Sequence, residues 1–89
     1  MRLRVLFFGV LRERFGLQER LEQFPGSTVA DLLRYYRVVA PELTGLWETI
    51  AVAVNQQYAQ ASTALTDDDE VALLPPVSGG CGQGTEDAG

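Results

Sequence analysis

The feature that most constrains the fold is a single long amphipathic helix that lies between short apolar runs. After residue 28 the apolar side chains recur at helical spacing, at Val29, Leu32, Leu33, Tyr36 and then Val39 or Ala40. Ser27 or Thr28 is expected to cap this helix, and Pro41 ends it. Because one helix with one apolar stripe needs a sheet to pack on, the pattern predicts an α+β fold with two layers.

The other apolar runs predict short strands around that helix. Strands are expected over residues 2–8, 18–24, 50–54 and 71–74, with a turn at 55–58 that leads into a brief edge strand. The second strand is expected to be mostly exposed and antiparallel to the first. Residues 10–15 predict a short helical turn in which Leu11 and Phe15 share a buried face, and residues 41–47 predict a connector. We therefore expect a mixed sheet with one main helix packed on one face.

Composition excludes several classes of function. The chain has 89 residues with 46% apolar content and a net charge of −5, which fits one small domain with a basic protein surface as its partner rather than nucleic acid. It has no histidine and one cysteine, which excludes an internal disulfide, a Cys/His metal site and a Ser-His nucleophile. No apolar run approaches membrane-spanning length and no signal-peptide core is present, so a soluble cytoplasmic protein is expected.

Three motifs have structural explanations that outweigh functional ones. The acidic run 67–70 lacks the spaced oxygen ligands and the glycine turn of a calcium loop, so a solvated turn before the last strand is expected. Helix capping accounts for Ser27 and Thr28. For the aromatic residues Trp47 and Tyr58, packing is a more frequent role than binding.

A strand that runs into prolines and then glycines closes the predicted domain. Pro75 and Pro76 cannot donate to a sheet ladder, and Gly79 and Gly80 remove all side chains from the chain. Residues 75–80 therefore predict a thin arm that spans at most ~20 Å at ~3.3 Å per residue, enough to enter the active site of another protein. We divide the chain into a domain at 1–80, with its arm at 75–80, and a flexible extension at 81–89.

Several segments, taken in order, resemble one known family. They are Val5-Leu6-Phe7-Phe8 with Arg12-Glu13, Phe24-Pro25, Val52-Ala53-Val54-Asn55, Leu65-Thr66-Asp67 with Asp69-Glu70-Val71-Ala72, and Pro75-Pro76-Val77-Ser78-Gly79-Gly80. Together they resemble the small subunit of molybdopterin synthase, the MoaD-type sulfur carrier. The resemblance implies a ubiquitin-like β-grasp fold.

The resemblance also implies a chemistry for the arm. Gly80 matches the residue that a ubiquitin-activating-type (MoeB-type) enzyme adenylates with ATP and magnesium before sulfur displaces AMP and leaves a thiocarboxylate. The arm residues, which are Pro75, Pro76, Val77, Ser78 and Gly79, then lead Gly80 into the large (MoaE-type) subunit, where the sulfur enters the molybdopterin dithiolene. The chain itself is expected to be a non-catalytic carrier that binds no cofactor stably and forms a heterotetramer with the large subunit.

The same resemblance implies a docking surface at the root of the arm. An apolar sheet face contacts both partners in such carriers, and the candidates here are Phe8, Tyr58 and Leu74, with Arg12 as a polar contact. Core packing is the alternative for each of them, and Leu74 is favoured as an interface residue because it adjoins the arm.

The extension after Gly80 departs from the family pattern, which ends at the second glycine. The leading hypothesis is a precursor from which a protease removes residues 81–89 to free the Gly80 carboxylate. Cys81 is a second candidate, since its thiol could attack the preceding carbonyl, and an inactive paralogue is a third. The alternatives in function are a β-grasp carrier for thiamine or a thionucleoside, and a β-grasp interaction module that never reacts.

Overall fold

Five strands and one long helix form two layers in the computed structural model, which describes residues 1–76. In chain order the elements are β1 (Leu3–Phe7), α1 (Val10–Phe15), β2 (Gln18–Leu21), α2 (Val29–Val39), a 3-10 turn (Pro41–Leu43), α3 (Thr44–Trp47), β3 (Ala51–Val54), β4 (Gln57–Ala59) and β5 (Asp69–Leu74). The predicted arm residues 77–80 and the extension 81–89 lie outside the described residues.

The first and last strands lie side by side in the middle of the sheet. The strand order is β2-β1-β5-β3-β4, and β1 and β5 are parallel, with Val5 beside Val71 and Phe7 beside Leu73. The other three pairings are antiparallel, including the predicted pairing of β2 with β1. The predicted α+β architecture, a mixed sheet with one main helix on one face, is confirmed.

The core fills the space between the sheet and α2. Leu3, Val5 and Phe7 of β1 alternate inward and are buried, as are Val71 and Leu73 of β5. Aromatic rings close one end of this core: Phe7 stacks on Phe15 at a centroid distance of 4.9 Å, and Tyr36 meets both edge-on. Trp47 is also buried, and its indole nitrogen donates to the carbonyl of Ala40 at 3.2 Å.

The ends of α2 settle two alternatives that its sequence left open. Thr28, rather than Ser27, is the N-cap, and it shares a reciprocal capping box with Asp31. At the other end Ala40 is buried, whereas Val39 is 41% exposed. The apolar stripe therefore continues through the C-cap and meets Trp47.

Two predicted strand boundaries were wrong for the same physical reason. β2 ends at Leu21, and Phe24, predicted as part of a mostly exposed strand, is buried with its ring edge-on to Tyr35. β5 begins at Asp69, which was predicted to lie in a solvated turn. In both places burial of one side chain decided the backbone path, which local polarity could not reveal.

Candidate functional site

The sheet has a second face that α2 does not cover. Because side chains alternate along a strand, the neighbours of the core residues point away from the helix. We call this the outer face; the residues that the strand register places on it are Arg4, Leu6, Gln18, Arg20, Ala51, Ala53, Tyr58, Glu70, Ala72 and Leu74. In the described part of the chain no helix packs on it.

Small side chains form the middle of the outer face. Tyr58 pairs with Ala53, Ala53 pairs with Ala72, and Ala72 lies beside Leu6, so these four cross the sheet in one row. Tyr58 is 82% exposed at one end of that row. The two alanines, of which Ala53 is buried and Ala72 half-buried, form a shallow floor between Tyr58 and Leu6.

The outer face is divided into a polar and an apolar half. At the end where β1 and β5 begin, Arg4 donates a hydrogen bond to Glu70 across the parallel pair, and Arg20 lies beside Arg4. Towards the other end, where β5 finishes, Leu6, Ala72, Ala51 and Leu74 replace these charges. The apolar half is thus the half that adjoins the predicted arm.

The root of the arm gathers three of the four predicted interface residues. β5 ends at Leu74, after which Pro75 is half-buried and Pro76 is exposed. Phe8 follows the last residue of β1 and is 37% exposed, and the guanidinium of Arg12 lies 5.6 Å from the centre of its ring. Phe8, Arg12 and Leu74 therefore lie at the end of the central strand pair from which the arm leaves.

Tyr58, the fourth predicted interface residue, lies on the same face but two strands away from Leu74. None of the four belongs to the buried core, which was the alternative considered for each. Their role as an interface remains a prediction, and so does the role of Val77, Ser78, Gly79, Gly80 and Cys81, which lie outside the described residues.

Sequence reasoning missed the middle of the outer face. Leu6, Ala53 and Ala72 were predicted to lie in strands but were not named as interface candidates. The available signal was that residues 5–8 are apolar at every position, so that β1 presents apolar side chains on both faces. Within residues 1–76 one long helix covers one face of the sheet, which leaves the apolar half of the outer face without a helix over it.

The charged groups around the acidic run have structural partners rather than a ligand site. Arg2 pairs with both Asp67 and Asp68 at 3.2 Å. Asp69 is buried and accepts hydrogen bonds from Asn55 and from the backbone and hydroxyl of Thr66. Within residues 1–76 no group of acidic, histidine or cysteine side chains is placed to hold a metal ion.

One partly buried acid–phenol pair links the sheet to the helix. The hydroxyl of Tyr36 donates to Glu19 at 2.7 Å. Burial raises the pKa of Tyr36 above its ordinary value, and the hydrogen bond and charge of Glu19 raise it further. Tyr36 therefore stays a protonated donor and serves packing, not proton transfer.

A second apolar surface lies on the opposite side of the molecule. Residues 24–27 and the exposed side of α2, with Tyr35, Val38 and Val39, border a groove of about 510 Å³. Val38 is 76% exposed. This groove is separate from Leu74 and Pro75 at the root of the predicted arm.

No helix among residues 1–76 is long and apolar enough to span a membrane.

One known protein family matches most of this chain. The model of the ThiS family matches residues 5–80, which include the outer face apart from Arg4 and the full predicted arm. The chain belongs to the ThiS family. The match ends at Gly80, so the extension at 81–89 lies beyond it.

Curated members of known name are similar over almost the whole chain. The molybdopterin synthase sulfur carrier subunit of Chlamydomonas reinhardtii is 40% identical over 83 residues, which are 90% of this chain and 100% of that protein. The protein of the same name from Mycobacterium tuberculosis is 37% identical over 82 residues, which are 90% of this chain and 99% of that one. The resemblance drawn from the sequence segments is confirmed, and these relatives are named as carrier subunits rather than as catalytic enzymes.

Solved structures support the β-grasp assignment. Small archaeal modifier protein 1 from Haloferax volcanii superposes with a TM-score of 0.72 at 29% identity, over 90% of this chain and 100% of that one. A chain in the complex of subunits 1 and 2 of molybdopterin-converting factor from Helicobacter pylori gives 0.62 at 28% identity, again over 90% and 100%. The ubiquitin-like β-grasp fold expected from the resemblance is confirmed.

Proposed function

We propose that this chain is the sulfur carrier subunit of a molybdopterin synthase and that Gly80 carries the sulfur. The observation that supports this most is the apolar half of the outer face, which adjoins the root of the arm in a chain whose relatives bear that name. A carrier needs a docking surface beside its reactive end, because docking converts sulfur transfer into an intramolecular step.

The chemistry proposed for Gly80 follows from the reactivity of a carboxylate. A carboxylate is a poor electrophile until it has a good leaving group, which an activating enzyme supplies as AMP from ATP and magnesium. Sulfur then displaces AMP, and the resulting thiocarboxylate holds a nucleophilic sulfur on a tethered arm. This chain supplies the arm and the docking face, and the partners supply the general acids and bases.

Two partners follow from this proposal. The large synthase subunit would dock on the outer face and receive the arm; the related Helicobacter pylori chain was solved in a complex of subunits 1 and 2. A ubiquitin-activating-type enzyme would use the same face before sulfur transfer. We expect the complex with the large subunit to be a heterotetramer of two small and two large chains.

Residues 81–89 must be removed before Gly80 can react as a carboxylate, and we propose that a protease does so. The test is the intact mass of the protein isolated from its own cells. We expect a chain that ends at Gly80, in part heavier by the difference between sulfur and oxygen. A population that keeps residues 81–89 while the cells make molybdopterin would overturn the precursor hypothesis.

Cys81 provides the control for that measurement. If proteolysis frees Gly80, Cys81→Ala should leave thiocarboxylate formation unchanged. If the Cys81 thiol itself attacks the Gly80 carbonyl, the same substitution should abolish it.

A carrier for another sulfur pathway, such as thiamine synthesis, is the second candidate. The match to the ThiS family favours keeping this alternative. Co-purification distinguishes the two. The tagged chain should retain a large molybdopterin synthase subunit from a lysate of its own cells, whereas a thiazole synthase in its place would assign the chain to thiamine synthesis.

A further inference from the structure

Gly9 touches the root of the arm, and neither its sequence context nor the proposed chemistry accounts for that contact. It follows Phe8 at the end of β1 and precedes α1, with φ +58° and ψ −136°. This backbone conformation is open to glycine and strained for every other residue. Gly9 is the N-cap of α1, and its carbonyl accepts from the backbone N–H of Arg12 at 3.1 Å, but serine, threonine, asparagine or aspartate would fill that role at least as well.

The space beside Gly9 is filled by Pro75. A Cβ added at Gly9 would lie 2.9 Å from Cγ of Pro75 and 3.8 Å from its Cδ. The first distance is shorter than van der Waals contact allows, and a pyrrolidine ring cannot swing aside as a long side chain can. Any side chain at position 9 would therefore push the first residue of the arm away from the end of β1.

The sheet pairings among residues 1–76 end before Pro75. β1 pairs with β5 as far as Phe7 and Leu73, β3 pairs with β5 as far as Ala51 and Leu74, and proline has no backbone N–H with which to extend either pairing. The position at which the arm leaves the domain thus depends on the packing of Pro75 against the bare backbone of Gly9.

We propose that Gly9 is a positioning residue that sets the exit of the arm, an inference that rests on the proposed sulfur-carrier function. Once the outer face has docked, the root is the fixed end of the arm. Five residues at ~3.3 Å each separate Pro75 from Gly80, so the tip is at most ~17 Å from the root. A shift at the root alters the reach of the tip, and a misplacement of about 1 Å at a reacting group can lower a rate by about a hundredfold.

Gly16 offers a matched control at the other end of α1. It also has a left-handed backbone, with φ +95°, but a Cβ there would meet nothing within 4 Å. Gly9→Ala and Gly16→Ala therefore share the backbone strain of an alanine at positive φ. Only Gly9→Ala adds the collision with Pro75.

In the test, each full-length variant is expressed in cells of the source organism from which the gene for this chain has been deleted. Molybdopterin is then measured in cells that contain equal amounts of each variant. We expect the wild-type chain and Gly16→Ala to restore molybdopterin equally, and Gly9→Ala to restore about a tenth or less. The affinity of each purified chain for the large subunit, measured by calorimetry, should change less than threefold, because the outer face is intact. The double variant Gly9→Ala/Pro75→Ala removes the ring that the new Cβ would strike. It should restore at least as much molybdopterin as Pro75→Ala alone.

The outcomes separate this inference from the function on which it rests. If the wild-type chain fails to restore molybdopterin, the proposed function is wrong and this inference is wrong with it. If the wild-type chain restores molybdopterin and Gly9→Ala restores as much as Gly16→Ala, the proposed function stands and the positioning role is wrong. Equal losses of affinity and of molybdopterin in Gly9→Ala, with no rescue in the double variant, would assign Gly9 to folding and overturn the proposal.

Discussion

Asp31 is the residue whose protonation matters most to the local structure of the helix that covers the core. It accepts hydrogen bonds from the backbone N–H groups of Ser27 and Thr28 at 2.9 and 3.1 Å. These bonds, helped by Arg34 and Thr28 and opposed by partial desolvation, lower the pKa of Asp31 from 3.8 to about 2. The negative charge of Asp31 also stabilises α2 through its favourable interaction with the helix dipole at the N-terminus.

The lowered pKa of Asp31 predicts a pH dependence with a definite sign. A depressed folded-state pKa adds stability above the unfolded value of 3.8, and this stability is lost as the pH falls towards 2. Asp31→Asn keeps an acceptor oxygen but cannot titrate. The fall in thermal midpoint of the wild type between pH 5 and pH 2 should therefore be smaller in Asp31→Asn. Parallel curves for the two proteins would contradict this assignment.

Tyr36 tests the buried hydrogen bond between helix and sheet. Tyr36→Phe leaves the carboxylate of Glu19 without its 2.7 Å donor and should lower the free energy of unfolding by about 1.5–3 kcal/mol, the range for a hydrogen bond to a charged group. Tyr58→Phe makes the same chemical change on a ring that is 82% exposed and should have almost no effect. Urea unfolding of both variants measures the difference, and equal effects would contradict the role of the Tyr36 hydroxyl.

At the scale of elements, the hairpin between β3 and β4 shows why sequence reasoning worked where it did. Alternation and turn residues predicted the strands, the helix and the turn after Val54, because these depend on near neighbours. The start of β5 could not be predicted in this way. Asp69 pairs with Leu3 of β1, and its buried carboxylate accepts from Asn55 of the hairpin at 2.9 Å, so the start of β5 depends on residues that are distant in sequence.

The same hairpin carries a conformational strain that can be relieved. Asn55 and Gln56 both have positive φ, 51° and 71°, in the two-residue turn between β3 and β4. Asparagine tolerates this conformation and glutamine does not, so Gln56→Gly should raise the free energy of unfolding by about 1 kcal/mol. Gln57→Gly, one residue on and inside β4, should lower it by about 0.5–1 kcal/mol. Chemical unfolding of the two variants measures both changes in the free energy of unfolding. Destabilisation by Gln56→Gly would contradict the prediction.

At the scale of the whole molecule, the two apolar surfaces are alternative docking sites for a partner. The end of β5 at Leu74, which is the root of the predicted arm, adjoins the apolar half of the outer face, whereas the groove beside Val38 lies on the far side of α2. The end of the last strand just before Pro75 could be predicted, because proline interrupts a sheet ladder, and β5 does end at Leu74. The arm over residues 77–80 stays a prediction. The sequence could not predict the alanine floor, since the placement of Ala53 and Ala72 on the outer face depends on which face α2, the one long helix within residues 1–76, covers.

Tyr58 and Val38 distinguish the two surfaces by experiment. Both side chains are largely exposed, at 82% and 76%, so alanine at either position should leave the stability of the free domain within about 0.5 kcal/mol. An exposed tyrosine that borders a small-residue floor has the features of an interface hot spot, and Tyr58→Ala should weaken binding to the large subunit by about 2 kcal/mol or more. Val38→Ala should leave that affinity unchanged. The opposite pattern, with binding lost in Val38→Ala and kept in Tyr58→Ala, would move the docking surface to the groove on α2 and leave the arm to reach its partner around the end of the sheet.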